Sequence, residues 1–177
     1  MKNNLVLLIS AIFLSTILSG CFTQEALALK GNYVDKPIEI ISDKPYDQVW
    51  SNIIDLFAQK GLSIKVIDKS SGLIVSERAS FDNNYTFEEN GKLKNPNAYL
   101  VLNTVKMAGS KMVPASVTAE WNVRIKTREN KTVINVNITN ISGHRHYDAS
   151  QYSPAINVNF EGKSTGVFEN EIAEMVK

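Results

Sequence analysis

The cleanest pattern in the chain is a two-residue alternation that begins at Val117. Val117, Ala119, Trp121, Val123 and Ile125 fall on one side of an extended segment, with Thr118, Glu120, Asn122, Arg124 and Lys126 on the other. A turn at Glu129-Asn130 leads back into Thr132, Ile134, Val136 and Ile138, opposite Val133, Asn135, Asn137 and Thr139. Successive side chains of a strand point to opposite faces, so the two segments predict a hairpin with one apolar and one wet face. A different period, of three and four residues, runs through Tyr46, Val49, Trp50, Ile53, Leu56 and Phe57 and predicts an amphipathic helix between Pro45 and Gly61. Pro45 suits a first helical position, Ser42 and Asp43 lie upstream as caps, and Gly61 suits the left-handed residue that ends a helix.

Weaker patterns fill in the rest. Pro37 to Ile41 reads as a short strand. Leu62, Ile64 and Val66 alternate with Ser63 and Lys65, and after a turn at Lys69 to Gly72 the chain returns from Leu73 to Arg78 as a second strand. Ser80 to Asn97 is mostly polar, with turn signals at Asn83-Asn84 and Asn90-Gly91, and is expected to be a long loop. Tyr99 to Val105 and Asn157 to Glu161 read as strands. Phe168, Ile172, Met175 and Val176 share one face of a second helix over Gly166 to Lys177, which Ser164 or Thr165 can cap. The order predicts an α+β domain over residues 34–177: an antiparallel sheet of about five to six strands with two helices packed on one face.

The first twenty residues belong to a different regime. An apolar run from Leu5 to Leu18 follows the single charge of Lys2 and carries Ser10, Ser15 and Thr16. It is shorter than the ~20 apolar residues that span a bilayer, and its charged start and small residues make a secretory signal. Leu18-Ser19-Gly20-Cys21 resembles the bacterial lipobox, which implies cleavage between Gly20 and Cys21 and a covalent lipid on the Cys21 thiol. Residues 1–20 are then the signal peptide and 21–33 a lipidated tether. Cys21 is the only cysteine, so no intramolecular disulfide forms. Phe22 stands where aspartate retains enteric lipoproteins at the inner membrane, and by that resemblance the protein is expected at the outer membrane, with the periplasmic face preferred to the cell surface. Loss of Lys2 leaves 18 basic and 18 acidic residues, a balance unlike the clustered positive charge of a nucleic-acid surface. The membrane, through the anchor, is the expected partner and nucleic acid is not.

Candidate chemistry is sparse. His144, His146 and Asp148 would point the same way on an extended segment, but the segment reads as a loop and no cysteine or further histidine completes a tetrahedral metal site. No serine sits in a nucleophile-elbow pattern. Trp50 and Trp121 lie on the apolar faces of their elements, where core packing is the default and a ligand pocket the alternative. The residues therefore point to a protein that is not an enzyme, without catalytic, cofactor-binding or metal residues.

The stretch Val49-Trp50 through Ile53-Ile54-Asp55-Leu56-Phe57-Ala58-Gln59-Lys60-Gly61, continued by Ile64-Lys65-Val66-Ile67-Asp68-Lys69 and Ser71-Gly72-Leu73-Ile74, resembles bacterial lipoprotein domains of the BamC (NlpB) type. That resemblance covers roughly the first third of the mature chain and implies a helix-grip fold. It implies an accessory part in the outer-membrane barrel-assembly machine, whose lipoprotein has two such domains after a long unstructured arm. This chain has room for one domain and a short tether. Two functions are expected in order: a lipid-anchored, non-enzymatic interaction module for an outer-membrane protein complex, and alternatively a small-molecule or lipid binder using a cleft between sheet and helix.

Overall fold

In chain order the elements are β1 (Gln24–Leu27), β2 (Ile38–Ser42), α1 (Tyr46–Gln59), β3 (Ile64–Asp68), β4 (Leu73–Ser76), β5 (Ala79–Ser80), β6 (Tyr85–Glu89), β7 (Lys92–Leu93), β8 (Leu100–Leu102), β9 (Thr104–Met107), β10 (Ser110–Lys111), β11 (Ser116–Arg128), β12 (Lys131–Tyr147), β13 (Ile156–Phe160), β14 (Gly162–Ser164) and α2 (Val167–Val176). The structure, a computed structural model, describes residues 24–148, 150 and 154–177. Gly20 and Cys21, with the signal segment and its cleavage point, lie outside the described residues.

The alternating segments form the spine. β11 and β12 pair antiparallel from Arg128↔Lys131 to Ser116↔His144. Glu129 and Asn130 both hold positive φ, 52° and 62°, as a tight turn between twisted strands requires. The register slips once: Thr118 faces Ser142 but Glu120 faces Thr139, so Asn140 and Ile141 bulge opposite Ala119. Asn140 takes a φ of 54° there, and the extra residue reverses which side chains of β12 face inward. Ile134 and Val136 are buried before the bulge and Gly143 after it.

Because β11 has 13 residues and β12 has 17, each outer edge accommodates two successive partners. β12 pairs with β2 near its start and β13 near its end; β11 pairs with β4, itself flanked by β3, and then with β5. The result is a seven-stranded sheet, beside which lie a four-stranded sheet in the order β14-β8-β6-β7 and a three-stranded sheet in the order β1-β9-β10. This corrects the expected α+β arrangement of one five-to-six-stranded sheet with two helices on a face. Of the described residues 51% are in strands and 16% in helices, and the strands are spread over three sheets. Two physical causes account for the difference. The spine is long enough to be paired twice along each edge, and the polar stretch expected as a loop forms β6 and β7, with β6 parallel to β8. Strands of two to five residues show no sustained apolar period, so tertiary pairing, not local pattern, makes them.

The inner face of β11 presents Val117, Ala119, Trp121, Val123 and Ile125, all buried. Against it lie Val49, Ile53 and Phe57 of α1 and Phe168, Ile172 and Val176 of α2. The Phe168 ring sits 3.7 Å from that of Trp121, and Phe81 and Tyr99 meet the same indole at 5.9 Å and 6.0 Å. Ser42, expected as a helix cap, instead donates its hydroxyl to the Val176 carbonyl, while Lys44 Nζ donates to Met175 at 2.7 Å. Both satisfy carbonyls left open at the end of α2. At its start, Gly166 takes a φ of 91° and its N–H donates to Ser164 Oγ.

The stretch expected as a tether is itself paired from Gln24 onward. β1 runs antiparallel to β9, with Gln24 opposite Met107 and Leu27 opposite Thr104. Further along, the Glu88 carboxylate accepts the Lys30 N–H at 2.7 Å, the Gly31 N–H at 2.9 Å and the Tyr33 hydroxyl at 2.9 Å. Val34 then donates to the Ser164 carbonyl. Burial opposes ionisation of Glu88, but the three donors prevail and hold its carboxyl below the usual carboxylate range. Burial and the same carboxylate push the Tyr33 hydroxyl up to about 12.

Candidate interaction surface

The face of the spine away from the helices is where the polar half of the alternation collects. Asn122 stands opposite Asn137 and Arg124 opposite Asn135 across β11 and β12, while Val75 and Leu73 of β4 flank Asn122 and Arg124 on the other side. Leu73, Asn122, Arg124, Asn135 and Asn137, with Lys126 and Pro37, line a groove of about 390 Å³. Asn122 Nδ2 donates to Thr139 Oγ1 at 2.9 Å, which fixes its carboxamide. Nearby cations are paired: Arg78 with Glu120, Arg128 with Glu39 and Lys131 with Asp43. Among the described residues, Arg124 and Lys126 form no ion pair. A groove with two unpaired cations beside carboxamides presents donors for carboxylates or main-chain carbonyls, and an exposed guanidinium offers a bidentate fork.

The groove runs into a sheet edge. Among the described residues β3 pairs with β4 alone, and the register breaks between Ile64 and Val66, so that Lys65 is an extra residue. The break turns Val66 to the outer face beside Val75, contrary to the alternation that puts Ile64 and Val66 on one side. Val66 is 37% and Ile67 56% exposed, and Ile41 on β2, also on the outer face opposite Val133, is 58% exposed. An open strand edge bearing apolar side chains is a template for another chain. The sign of it in the sequence is the consecutive pair Val66-Ile67, which breaks a period of two.

The remaining expected sites separate. His144 and His146 lie on β12, not in a loop, and both are exposed. His144 Nδ1 is 3.0 Å from Ser116 Oγ; His146 Nδ1 is 2.7 Å from Asn157 Oδ1, with Nε2 3.3 Å from Asp148. Among the described residues no group of three or more histidine, cysteine, aspartate or glutamate side chains is placed to hold a metal ion. Trp50 stacks on Tyr46 with ring centroids 6.1 Å apart, whereas Trp121 belongs to the separate aromatic cluster described above. Aromatic side chains thus occupy the space beside Trp121 between sheet and helix. Glu169 is a buried carboxyl that sequence reasoning did not mark: it is 1% exposed, Oε2 accepts the Ser164 hydroxyl at 2.9 Å, and Oε1 has no partner among the described residues. Burial pushes its pKa up. Among the described residues no helix is long and apolar enough to cross a membrane.

No protein-family model matches the chain and no curated protein is similar to it in sequence, so these comparisons do not identify a domain of the BamC type.

Proposed function

We propose that this chain is a lipid-anchored lipoprotein of the outer membrane that acts as a non-enzymatic interaction module, docking an envelope protein on the outer face of its long hairpin. The lipobox-like Leu18-Ser19-Gly20-Cys21 supports the anchor. The observation that carries the docking reading is the pair of uncompensated cations, Arg124 and Lys126, in a groove flanked by exposed Val66 on one side and exposed Ile41 on the other. The complementary partner is an extended segment with an acidic centre and apolar residues around it, able to add its backbone to the β3 edge. The ligand-cleft alternative has less support, because the aromatic side chains around Trp121 fill the position that such a cleft would take.

The test is capture from the native bacterium. A C-terminally tagged protein is crosslinked and recovered beside an Arg124→Glu/Lys126→Glu variant. The proposal expects one envelope protein in near-stoichiometric yield with the wild type and its loss with the variant, at unchanged thermal stability. Recovery of the anchored protein alone, or equal yields from both, refutes it.

A further inference from the structure

The geometry points to a second surface with a different occupant: the β9–β10 hairpin lies against the bilayer, its paired lysines meeting anionic phospholipid headgroups, so that the protein stands upright on the membrane. This rests on the lipid anchor at Cys21 proposed above.

The short reach of the anchor sets the placement. Three residue steps separate Cys21 from Gln24, at most about 11 Å of extended chain. Gln24 opens β1, so an acyl group on Cys21 brings the start of that strand close to the headgroup layer. β9 runs antiparallel to β1, and Met107, at its end, lies opposite Gln24. The turn that follows, Ala108 and Gly109 with φ values of 47° and 79°, therefore projects toward the anchor, while Leu27 and Thr104 lie away from it.

The chemistry of that hairpin fits an anionic surface. From Asn90 to Ala119 the chain carries Lys92, Lys94, Lys106 and Lys111 and no acidic residue. Lys106 and Lys111 stand directly opposite each other on β9 and β10. Like charges in register destabilise a strand pair, and Glu25 on β1, 3.8 Å from Lys106, offsets only one of them. Lys111 Nζ rests 3.6 Å from the centre of the Phe87 ring and has no carboxylate partner among the described residues. An anionic headgroup layer supplies the missing countercharge. The turn itself is small and uncharged, and Val113 just beyond it is 46% exposed.

Upright placement has a consequence for the docking surface. β12 is 17 residues long, roughly 55 Å as a strand, and β13, at its far end, contacts β9. The turn at Glu129-Asn130 lies at the opposite end, so Arg124, Lys126 and the β3 edge are carried away from the membrane.

The experiment uses the full acylated protein, purified from its native envelope and reconstituted in vesicles containing an anionic phospholipid and a nitroxide-headgroup lipid. Intact mass first establishes acylation; with Cys21 blocked by lipid, a fluorophore is attached through Ser110→Cys or, separately, Thr127→Cys, each folded by circular dichroism. The expected result is quenching several-fold stronger at position 110 than at 127. Lys106→Gln/Lys111→Gln abolishes that preference, since each lysine charge near an anionic surface is worth about fivefold in surface binding. Equal quenching at the two positions of an acylated protein overturns the placement and leaves the anchor standing. An unmodified Cys21 overturns both.

Discussion

Replacing Glu88 by alanine releases the stretch between the anchor and the body while leaving the core intact. The carboxylate holds three donors, two of them partly buried. Hydrogen bonds to an ionised group contribute about 1.5–3 kcal/mol each when shielded and less when wet, and both the freed amides and the Tyr33 hydroxyl can turn to water. The net loss is then about 2 kcal/mol, confined to residues 24–33, which is about a thirtyfold rise in local opening. Hydrogen exchange followed by mass spectrometry reads this directly. Peptides covering β1 should exchange about thirtyfold faster in Glu88→Ala, those covering β11 should not change, and Glu89→Ala, which removes only an exposed pair with Lys94, should leave both alone. The pH dependence has a definite sign. Glu88 is held below its ordinary value, so its contribution is present above the usual carboxylate range and lost as pH falls through the folded value. Tyr33, raised to about 12, remains a donor at neutral pH and its contribution is lost only as pH climbs through that value. Unchanged β1 exchange in Glu88→Ala, or a fall in global stability as large as the local one, would refute the clasp.

Other consequences follow from the interior. Burial raises the Glu169 pKa, so the folded state favours the neutral form; stability is full below the ordinary carboxylate range and falls as pH rises. Glu169→Gln, neutral and still able to accept from Ser164, should raise the melting temperature at pH 8 and change it little at pH 4; equal melting temperatures at both pH values would refute this account. Gly72 has a φ of 73° and an added Cβ would lie 1.8 Å from the Ile125 carbonyl oxygen, so Gly72→Ala should cost about 3 kcal/mol in denaturant unfolding. Trp121→Ala should cost about 3–5 kcal/mol in the same assay, since its ring is shared by Phe81, Tyr99 and Phe168.

The parts of the fold legible in the sequence are those whose hydrophobic period is long and regular. The alternation from Val117 to Ile125 matches buried positions on β11, and the helical spacing from Val49 to Phe57 matches the buried face of α1. What escaped depends on single backbone events or distant partners. One extra residue at Lys65 turns Val66 outward, and another at Asn140 reverses the inward face of β12; neither leaves more than a one-residue defect in the pattern. The Glu88 clasp joins residues 55 to 58 positions apart through a carboxylate that looks like any other surface charge. The wet face was visible as Asn122, Arg124 and Lys126, but its lack of countercharge was not, because pairing is decided by strands that lie far apart in the chain.

The most direct test is site-specific photocrosslinking of the acylated protein in its native envelope, with the photoreactive residue placed at Lys126 or, in a second strain, at Ser110. The account predicts a discrete protein adduct from position 126 and lipid adducts from position 110. Lipid adducts from 126, or a protein adduct from 110 with none from 126, would contradict it.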